Sequence, residues 1–199
     1  MDEGYIKFNC DWEKTKPLHF SQIQELNSWR QRLYEVSFIG VYPDGIGFGN
    51  VSQRSKENKF IISGSKTGCF EKLNKNHYSE VLDFDIKRNW VKCKGASIAS
   101  SESMSHAVIY KNYPQVNAVF HVHHLKLWEQ LLWEIPTTPE SAPYGSPEMA
   151  NEIIQLFKNT DVIKTKLFAM AGHREGLFAF GETLDEAGNV LLELILNFE

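Results

Sequence analysis

Cysteine is scarce in this chain, and what there is argues against a disulfide framework. The 199 residues contain three cysteines, Cys10, Cys69 and Cys93, which lie far apart and are odd in number. No Cys-x-x-Cys pair occurs, so any metal site must use histidine and carboxylate ligands. This cysteine usage is typical of a protein kept in a reducing, cytoplasmic setting.

Long apolar runs and clusters of basic residues are also missing. No segment approaches the ~20 apolar residues that span a bilayer, and the amino terminus lacks the basic and apolar regions of a signal peptide. Lysine and arginine are scattered and the net charge is −4, which excludes a basic stripe for nucleic acid. We therefore expect a cytoplasmic protein that binds neither membrane nor nucleic acid. With 42% hydrophobic and 23% charged residues, it is expected to form a single globular domain over residues 1–199.

Hydrophobic periodicity and turn residues predict short strands interleaved with helices. Residues 1–17 are polar and are expected to be irregular, whereas Ser21 is expected to cap a helix running to Tyr34. Ser100 or Ser101 is expected to cap another helix. The remaining expected strands are 51–54, 59–63, 81–85, 89–94, 116–123, one within 162–171, and 177–180, with helices over 125–133, 147–157 and from Thr183 onward. This order favours a mixed sheet with helices packed on both faces.

A pair of histidines at the end of an apolar strand is the most informative feature. The strand ends in His121-Val122-His123, and residues i and i+2 of a strand point to the same face. His121 and His123 should therefore project side by side, with Val122 on the other face. Two imidazoles held in this way provide half of a zinc site.

Two further residues suggest how such a site would be completed. His173 follows an apparent strand end and could supply a third imidazole, although a lone histidine there is more often structural. Glu102 follows two serines at a predicted helix start, where it could act as a general acid or base, or simply belong to a capping motif. His106 lies four residues later, so that it could pair with Glu102.

Two glycine-rich loops suggest anion binding or, alternatively, simple turns. Gly47, Gly49 and Asn50 form the first loop, and residues 64–68, including Thr67, form the second. Glycine lets backbone amides approach a ligand closely, and such amides can form an anion-binding nest. The serines before Glu102 could add hydroxyl donors at a helix N-terminus.

Taken in order, these motifs resemble the class II aldolase/adducin superfamily from about Gly40 onward. The matching segments are Gly49-Asn50-Val51-Ser52, Ser65-Lys66-Thr67-Gly68, Ser100-Ser101-Glu102, His106, Ile109-Tyr110, the run from Pro114 to His123, Tyr144-Gly145-Ser146-Pro147-Glu148 and the run from Gly181 to Ala187. Each segment alone is a weak signal, but their order is specific. In one departure, the turn His173-Arg174-Glu175-Gly176 has two residues between histidine and glycine where the family's typical aldolase has none.

The resemblance implies a fold and a set of site residues. The fold is a three-layer α/β/α arrangement with a central mixed, largely antiparallel sheet. One zinc ion per subunit would be held by His121, His123 and His173, and Glu102 would shuttle the proton. The family's phosphate-binding positions correspond to Asn50, Thr67, Gly68, Ser100 and Ser101. Relatives are commonly fourfold-symmetric tetramers, so a homo-oligomer is expected.

The activity implied by the resemblance is that of a zinc-dependent aldolase-type lyase in carbohydrate metabolism. Its substrate would be a small phosphorylated sugar or aldehyde, processed through a metal-stabilised enediolate. Two alternatives stay open at this point. One is a sugar-phosphate dehydratase or epimerase of the same superfamily, and the other is a non-catalytic, adducin-like interaction domain.

Overall fold

The structure is a computed structural model that describes residues 5–198, without the side chain of Phe198. Its strands are β1 (Asn9–Lys14), β2 (Gly40–Val41), β3 (Gly47–Phe48), β4 (Asn50–Lys56), β5 (Lys59–Ser63), β6 (Tyr78–Asp85), β7 (Trp90–Gly95), β8 (Ala118–His123), β9 (Thr137–Thr138), β10 (Leu167–Met170) and β11 (Gly176–Gly181). Its α-helices are α1 (Gln24–Glu35), α2 (Ser103–Asn112), α3 (Leu125–Leu131), α4 (Pro147–Asn159), α5 (Val162–Thr165) and α6 (Leu184–Phe198).

A nine-stranded sheet forms the centre of the fold. Its strand order is β1-β7-β6-β5-β4-β8-β11-β10-β9, and β2 and β3 form a separate hairpin. The pairs β1–β7 and β9–β10 are parallel, and the neighbours between them are antiparallel. The sheet is therefore mixed and largely antiparallel, which confirms the predicted fold class.

Helices cover both faces of this sheet because its central strands carry apolar residues on both sides. Val119 of β8 packs into a core with α2 and α4. The next residue, Phe120, packs on the opposite face with α1, α3 and α6. The resulting layers are α/β/α, as expected. Within residues 5–198, no helix has the length and apolar character to cross a membrane.

The amino-terminal segment differs from the expectation of irregular structure. Asn9–Lys14 forms the edge strand β1, parallel to β7. Its polar residues misled the sequence interpretation because an edge strand buries little of its surface. Cys10 and Trp12 alone turn toward the core, and the other four residues of the strand are exposed.

Two helix starts also differ from the sequence prediction. Ser21 lies in a short 3₁₀ turn, and α1 begins after Ile23. Neither Ser100 nor Ser101 is the cap of α2, because Glu102 holds that position. Ser100 instead forms the preceding turn, in which its hydroxyl accepts a hydrogen bond from the Glu102 amide. Within the range 162–171, α5 precedes the expected strand.

Candidate metal centre

Strand β8 presents His121 and His123 side by side in the middle of the sheet. The strand lies between β4 and β11, and His121 is opposite Asn50 on one side and Phe178 on the other. Both histidines are buried, and their ring centroids are 4.8 Å apart. Val122 packs in the opposite core, so the two imidazoles share a face as the strand periodicity predicted.

His173 joins this pair from the turn between β10 and β11. One ring nitrogen from each of His121, His123 and His173 lies within 4.8 Å of the others. Gly176 makes this approach possible, because a Cβ at that position would lie 2.8 Å from His173 Cδ2. Three histidines that are far apart in the sequence thus converge in one buried cluster, which we call the histidine cluster.

Hydrogen bonds fix the tautomers of the two strand histidines. His121 Nδ1 lies 3.1 Å from the Leu177 carbonyl oxygen. Because a carbonyl oxygen can only accept a hydrogen bond, His121 carries its ring proton on Nδ1. His123 Nδ1 lies 2.8 Å from the Tyr42 hydroxyl, whose own proton is donated to Glu175 Oε2 at 2.9 Å. His123 Nδ1 must therefore also be the protonated nitrogen. Both Nε2 atoms are left with lone pairs.

These lone pairs make the cluster suited to a cation. The Nε2 atoms of His121 and His123 are 3.0 Å apart, and with both rings protonated at Nδ1 neither can donate to the other. Such a contact is repulsive by itself, but a shared cation makes it favourable. Two zinc–nitrogen bonds in tetrahedral geometry separate the nitrogens by about 3.3 Å, which is close to the observed spacing. The donor set fits a divalent metal ion.

Burial keeps all three imidazoles in the neutral form that binds metal. Desolvation lowers the pKa of His121 to about 3. It also lowers the pKa of His123 and of His173 well below the usual value, and the neighbouring imidazoles lower them further. Protons therefore do not compete with a metal ion for the cluster near neutral pH.

Glu102 places a buried carboxylate beside the histidine cluster. It is fully buried, and its Oε1 lies 4.0 Å from His173 Nε2. Its Oε2 accepts a hydrogen bond from the Ser105 hydroxyl at 3.0 Å. The position at the start of α2 favours a negative charge, since the helix N-terminus carries a partial positive charge.

His106 makes a different contact from the one considered from the sequence. Its Nδ1 lies 2.7 Å from the Ser52 hydroxyl, and that hydroxyl also contacts the Tyr110 hydroxyl at 2.8 Å. The ring is fully buried and stacks on Phe60. Burial lowers its pKa well below the ordinary value, so His106 is a neutral member of a buried polar network.

Four of the five positions expected to bind phosphate lie on segments that touch one another, whereas Asn50, expected in a loop, is the first residue of strand β4. The loop containing Thr67 and Gly68 is linked to the segment before Ser100 by a hydrogen bond from Ser65 N to Ile98 O, 2.9 Å long. It also meets the Gly47 loop, because a Cβ on Gly47 would lie 2.6 Å from the Cys69 amide nitrogen.

The side chains at these positions are in different hydrogen-bonding states. The Thr67 hydroxyl donates within its own turn to Gly64 O, at 2.8 Å. Asn50 is buried, and its Oδ1 has no hydrogen-bond partner among the described residues. Ser101 is buried directly before Glu102. The glycines bring the loops together, and a phosphate role for these residues stays a prediction.

A buried arginine that the sequence interpretation missed holds the second glycine loop. The Arg30 guanidinium donates to the carbonyl oxygens of four loop residues, which are Thr67, Gly68, Phe70 and Glu71, at 2.5–3.2 Å. Only 1% of the residue is exposed. A signal was available, because Arg30 lies four residues after Leu26 and three before Leu33, on the apolar face of α1.

Tyr42 and Glu175 also contact the site without having been singled out. Tyr42 lies in the turn of the β2–β3 hairpin, and Glu175 lies two residues after His173. Beside them is an open cavity of about 410 Å³ whose lining includes Phe48, His123, Lys126, Glu129 and Glu175. His123 is therefore connected to a cavity at the molecular surface.

The fold is that of a known class of protein. A family model described as "Class II Aldolase and Adducin N-terminal domain" matches residues 44–197. The chain belongs to this family, which confirms the resemblance drawn from its motifs. A search of curated proteins finds no match.

Solved structures of similar fold include L-fuculose 1-phosphate aldolase. It superposes with a TM-score of 0.68 at 20% identity, over 90% of this chain and 84% of that chain. YgbL from Escherichia coli gives a TM-score of 0.63 at 18% identity, with 87% and 84% covered. A sugar-phosphate aldolase from Thermotoga maritima gives 0.57 at 14% identity, with 90% and 97% covered. At these identities the likeness establishes the fold alone.

Proposed function

We propose that the chain is a zinc-dependent lyase of aldolase type that acts on a small phosphorylated sugar. The observation that carries this proposal is the convergence of three neutral imidazoles beside the buried carboxylate of Glu102. Three histidines with an open fourth position are a ligand set used by catalytic zinc. The aldolases of similar fold support the substrate class.

The histidine cluster would bind the metal ion, and Glu102 would transfer the proton. A divalent cation on His121, His123 and His173 supplies Lewis-acid stabilisation of charge on a carbonyl oxygen, worth several kcal/mol. Glu102 is assigned the proton transfer at the carbon beside that carbonyl. Ser105 orients the Glu102 carboxylate by donating to Oε2, so that Oε1 faces His173.

The phosphate group of the substrate is assigned to the touching loops. Asn50 brings a buried amide next to His121, and Ser100 and Ser101 precede the N-terminus of α2. Backbone amides at a helix start, together with hydroxyl and amide side chains, suit an anion. Thr67 and Gly68 would complete this seat from a loop that Arg30 holds in place.

A product screen tests the activity. Purified, zinc-loaded protein is incubated with a panel of ketose 1-phosphates, and release of dihydroxyacetone phosphate is followed by a coupled reductase. We expect release from at least one phosphorylated ketose. From its unphosphorylated counterpart we expect much slower formation of the aldehyde, which is the product common to both cleavage reactions. Turnover without carbon–carbon cleavage, seen as loss of water or as inversion at one carbon, would assign the site to the dehydratase or epimerase reaction instead.

Homo-oligomer formation is the second part of the proposal. The resemblance drawn from the sequence motifs implies a tetramer, and large apolar side chains such as Phe20, Val41, Phe70 and Trp133 are exposed on the single chain, where an assembly could cover them. Light scattering on the purified protein is expected to give four times the chain mass. A monomer at micromolar concentration would reject the assembly.

A further inference from the structure

We propose that Tyr42 and Glu175 form a hydrogen-bonded relay that fixes the tautomer and orientation of His123 and so sets how tightly the histidine cluster holds its metal ion. The inference rests on the proposed metal site. The relay runs from His123 Nδ1 to the Tyr42 hydroxyl at 2.8 Å and on to Glu175 Oε2 at 2.9 Å. It joins three separate parts of the chain, which are strand β8, the β2–β3 hairpin and the turn before β11.

The direction of the hydrogen bonds gives the relay its effect. A carboxylate accepts the Tyr42 proton, so the Tyr42 oxygen must accept from His123. This leaves the His123 Nε2 lone pair directed at His121 Nε2, 3.0 Å away. Partners of this kind fix ring orientation and raise the basicity of a ligating histidine, and their loss typically lowers metal affinity about 10–100-fold.

The backbone at Glu175 provides an independent observation. Its φ is +71°, in the left-handed region that favours glycine over residues with a Cβ. A glutamate in this position is conformationally less favourable than glycine. The turn nevertheless places its carboxylate on the Tyr42 hydroxyl. The contact with Tyr42 explains what the side chain contributes at a position where glycine would fit the backbone better.

Packing holds Tyr42 in the geometry that the relay requires. Its amide donates to Ile46 O at 2.8 Å, which closes the hairpin turn. Its ring lies against Phe48, with centroids 4.6 Å apart, and Phe48 in turn stacks on His123 at 5.4 Å. The Tyr42 hydroxyl therefore has little freedom to leave His123, and Phe48 packs against the face of the His123 ring.

Metal binding by four variants tests the relay. Zinc affinity is measured by competition with a chromophoric chelator, and the visible spectrum of the cobalt-loaded protein reports the ligand geometry. We expect Tyr42→Phe and Glu175→Gly to weaken zinc binding about 10–100-fold and to alter the cobalt spectrum. Glu175→Gln still accepts from Tyr42 and should lose less than about tenfold. The control Glu129→Gln removes another carboxylate of the same cavity and should bind as the wild type does.

Stability separates a positioning role from a merely structural one. Glu175→Gly relieves the left-handed backbone, so the metal-free variant should unfold at the same temperature as the wild type or higher, although it binds metal less tightly. Unchanged affinity and spectrum in both Tyr42→Phe and Glu175→Gly would overturn the relay, even with lyase activity present. Conversely, an inactive wild type whose metal affinity still depends on both residues would reject the lyase and support the relay.

Discussion

At the scale of single residues, the site depends on which atom carries each proton. The Leu177 carbonyl and the Tyr42 hydroxyl accept hydrogen bonds from Nδ1 of His121 and of His123, respectively. The protons therefore stay on Nδ1, and both Nε2 atoms can bind a cation. Glu102 is the acidic group beside them, at 4.0 Å from His173. Cation binding by the two histidines and proton transfer by Glu102 are therefore separate roles, and single substitutions can test each of them.

Glu102→Gln tests the assignment of proton transfer. The amide keeps the size and one acceptor of the carboxylate but cannot take up a proton. We expect the variant to keep its metal and to lose about 10²–10⁴-fold in exchange of deuterium into dihydroxyacetone phosphate. Glu148→Gln, at an exposed position in the first turn of α4, is the control. Wash-in at the wild-type rate by Glu102→Gln would exclude the carboxylate as the base.

His106→Gln tests the neutral buried network. In the folded protein the pKa of His106 lies well below its ordinary value, whereas the unfolded chain takes up a proton near pH 6.5. The unfolded state therefore binds more protons as the pH falls, and the fold loses up to about 1.4 kcal/mol per pH unit from this residue below about pH 6.5.

Urea unfolding of metal-free protein between about pH 7 and about pH 5 measures this effect. The other buried histidines change the stability in the same direction. The contribution of His106 is therefore the difference in the pH dependence of unfolding free energy between His106→Gln and the wild type. We expect a shallower pH dependence in the variant than in the wild type. Parallel curves for His106→Gln and the wild type would show that His106 titrates normally.

At the scale of elements, the loops around the site depend on helix α1. Arg30 projects from the buried face of α1 and binds four carbonyls of residues 67–71. The glycine loops then pack on each other, since Gly68 has no room for a Cβ beside Phe48. Helix α1 therefore holds in place the loop that carries two of the phosphate-binding candidates, Thr67 and Gly68.

Arg30→Met is expected to destabilise the protein by about 2 kcal/mol or more. The apolar stem is preserved, but buried carbonyls lose their charged donor, and each such group costs about 1–3 kcal/mol. Arg32→Met removes an exposed arginine that stacks over Trp29 and should cost at most about 1 kcal/mol. Denaturant unfolding measures both variants. Equal stabilities would show that solvent replaces the guanidinium and that the loop does not depend on it.

At the scale of the whole molecule, strand and helix periodicity predicted most of the layers. The His121-Val122-His123 strand could be predicted because its apolar run is buried on both faces and the side-chain period of two is strict. Edge strand β1 could not, because only Cys10 and Trp12 of its residues turn inward. The relay from Tyr42 to Glu175 joins residues 133 positions apart, and no local pattern marks such a contact.

Metal stoichiometry tests the central claim, that the three histidines bind one divalent cation. Elemental analysis after dialysis is expected to find about one zinc per chain in the wild type and in His124→Asn, whose histidine lies next to the cluster and caps α3. His121→Ala, His123→Ala and His173→Ala are each expected to remove the bound zinc while the fold persists by circular dichroism. A wild type without stoichiometric metal, or three alanine variants that all retain it, would contradict the account.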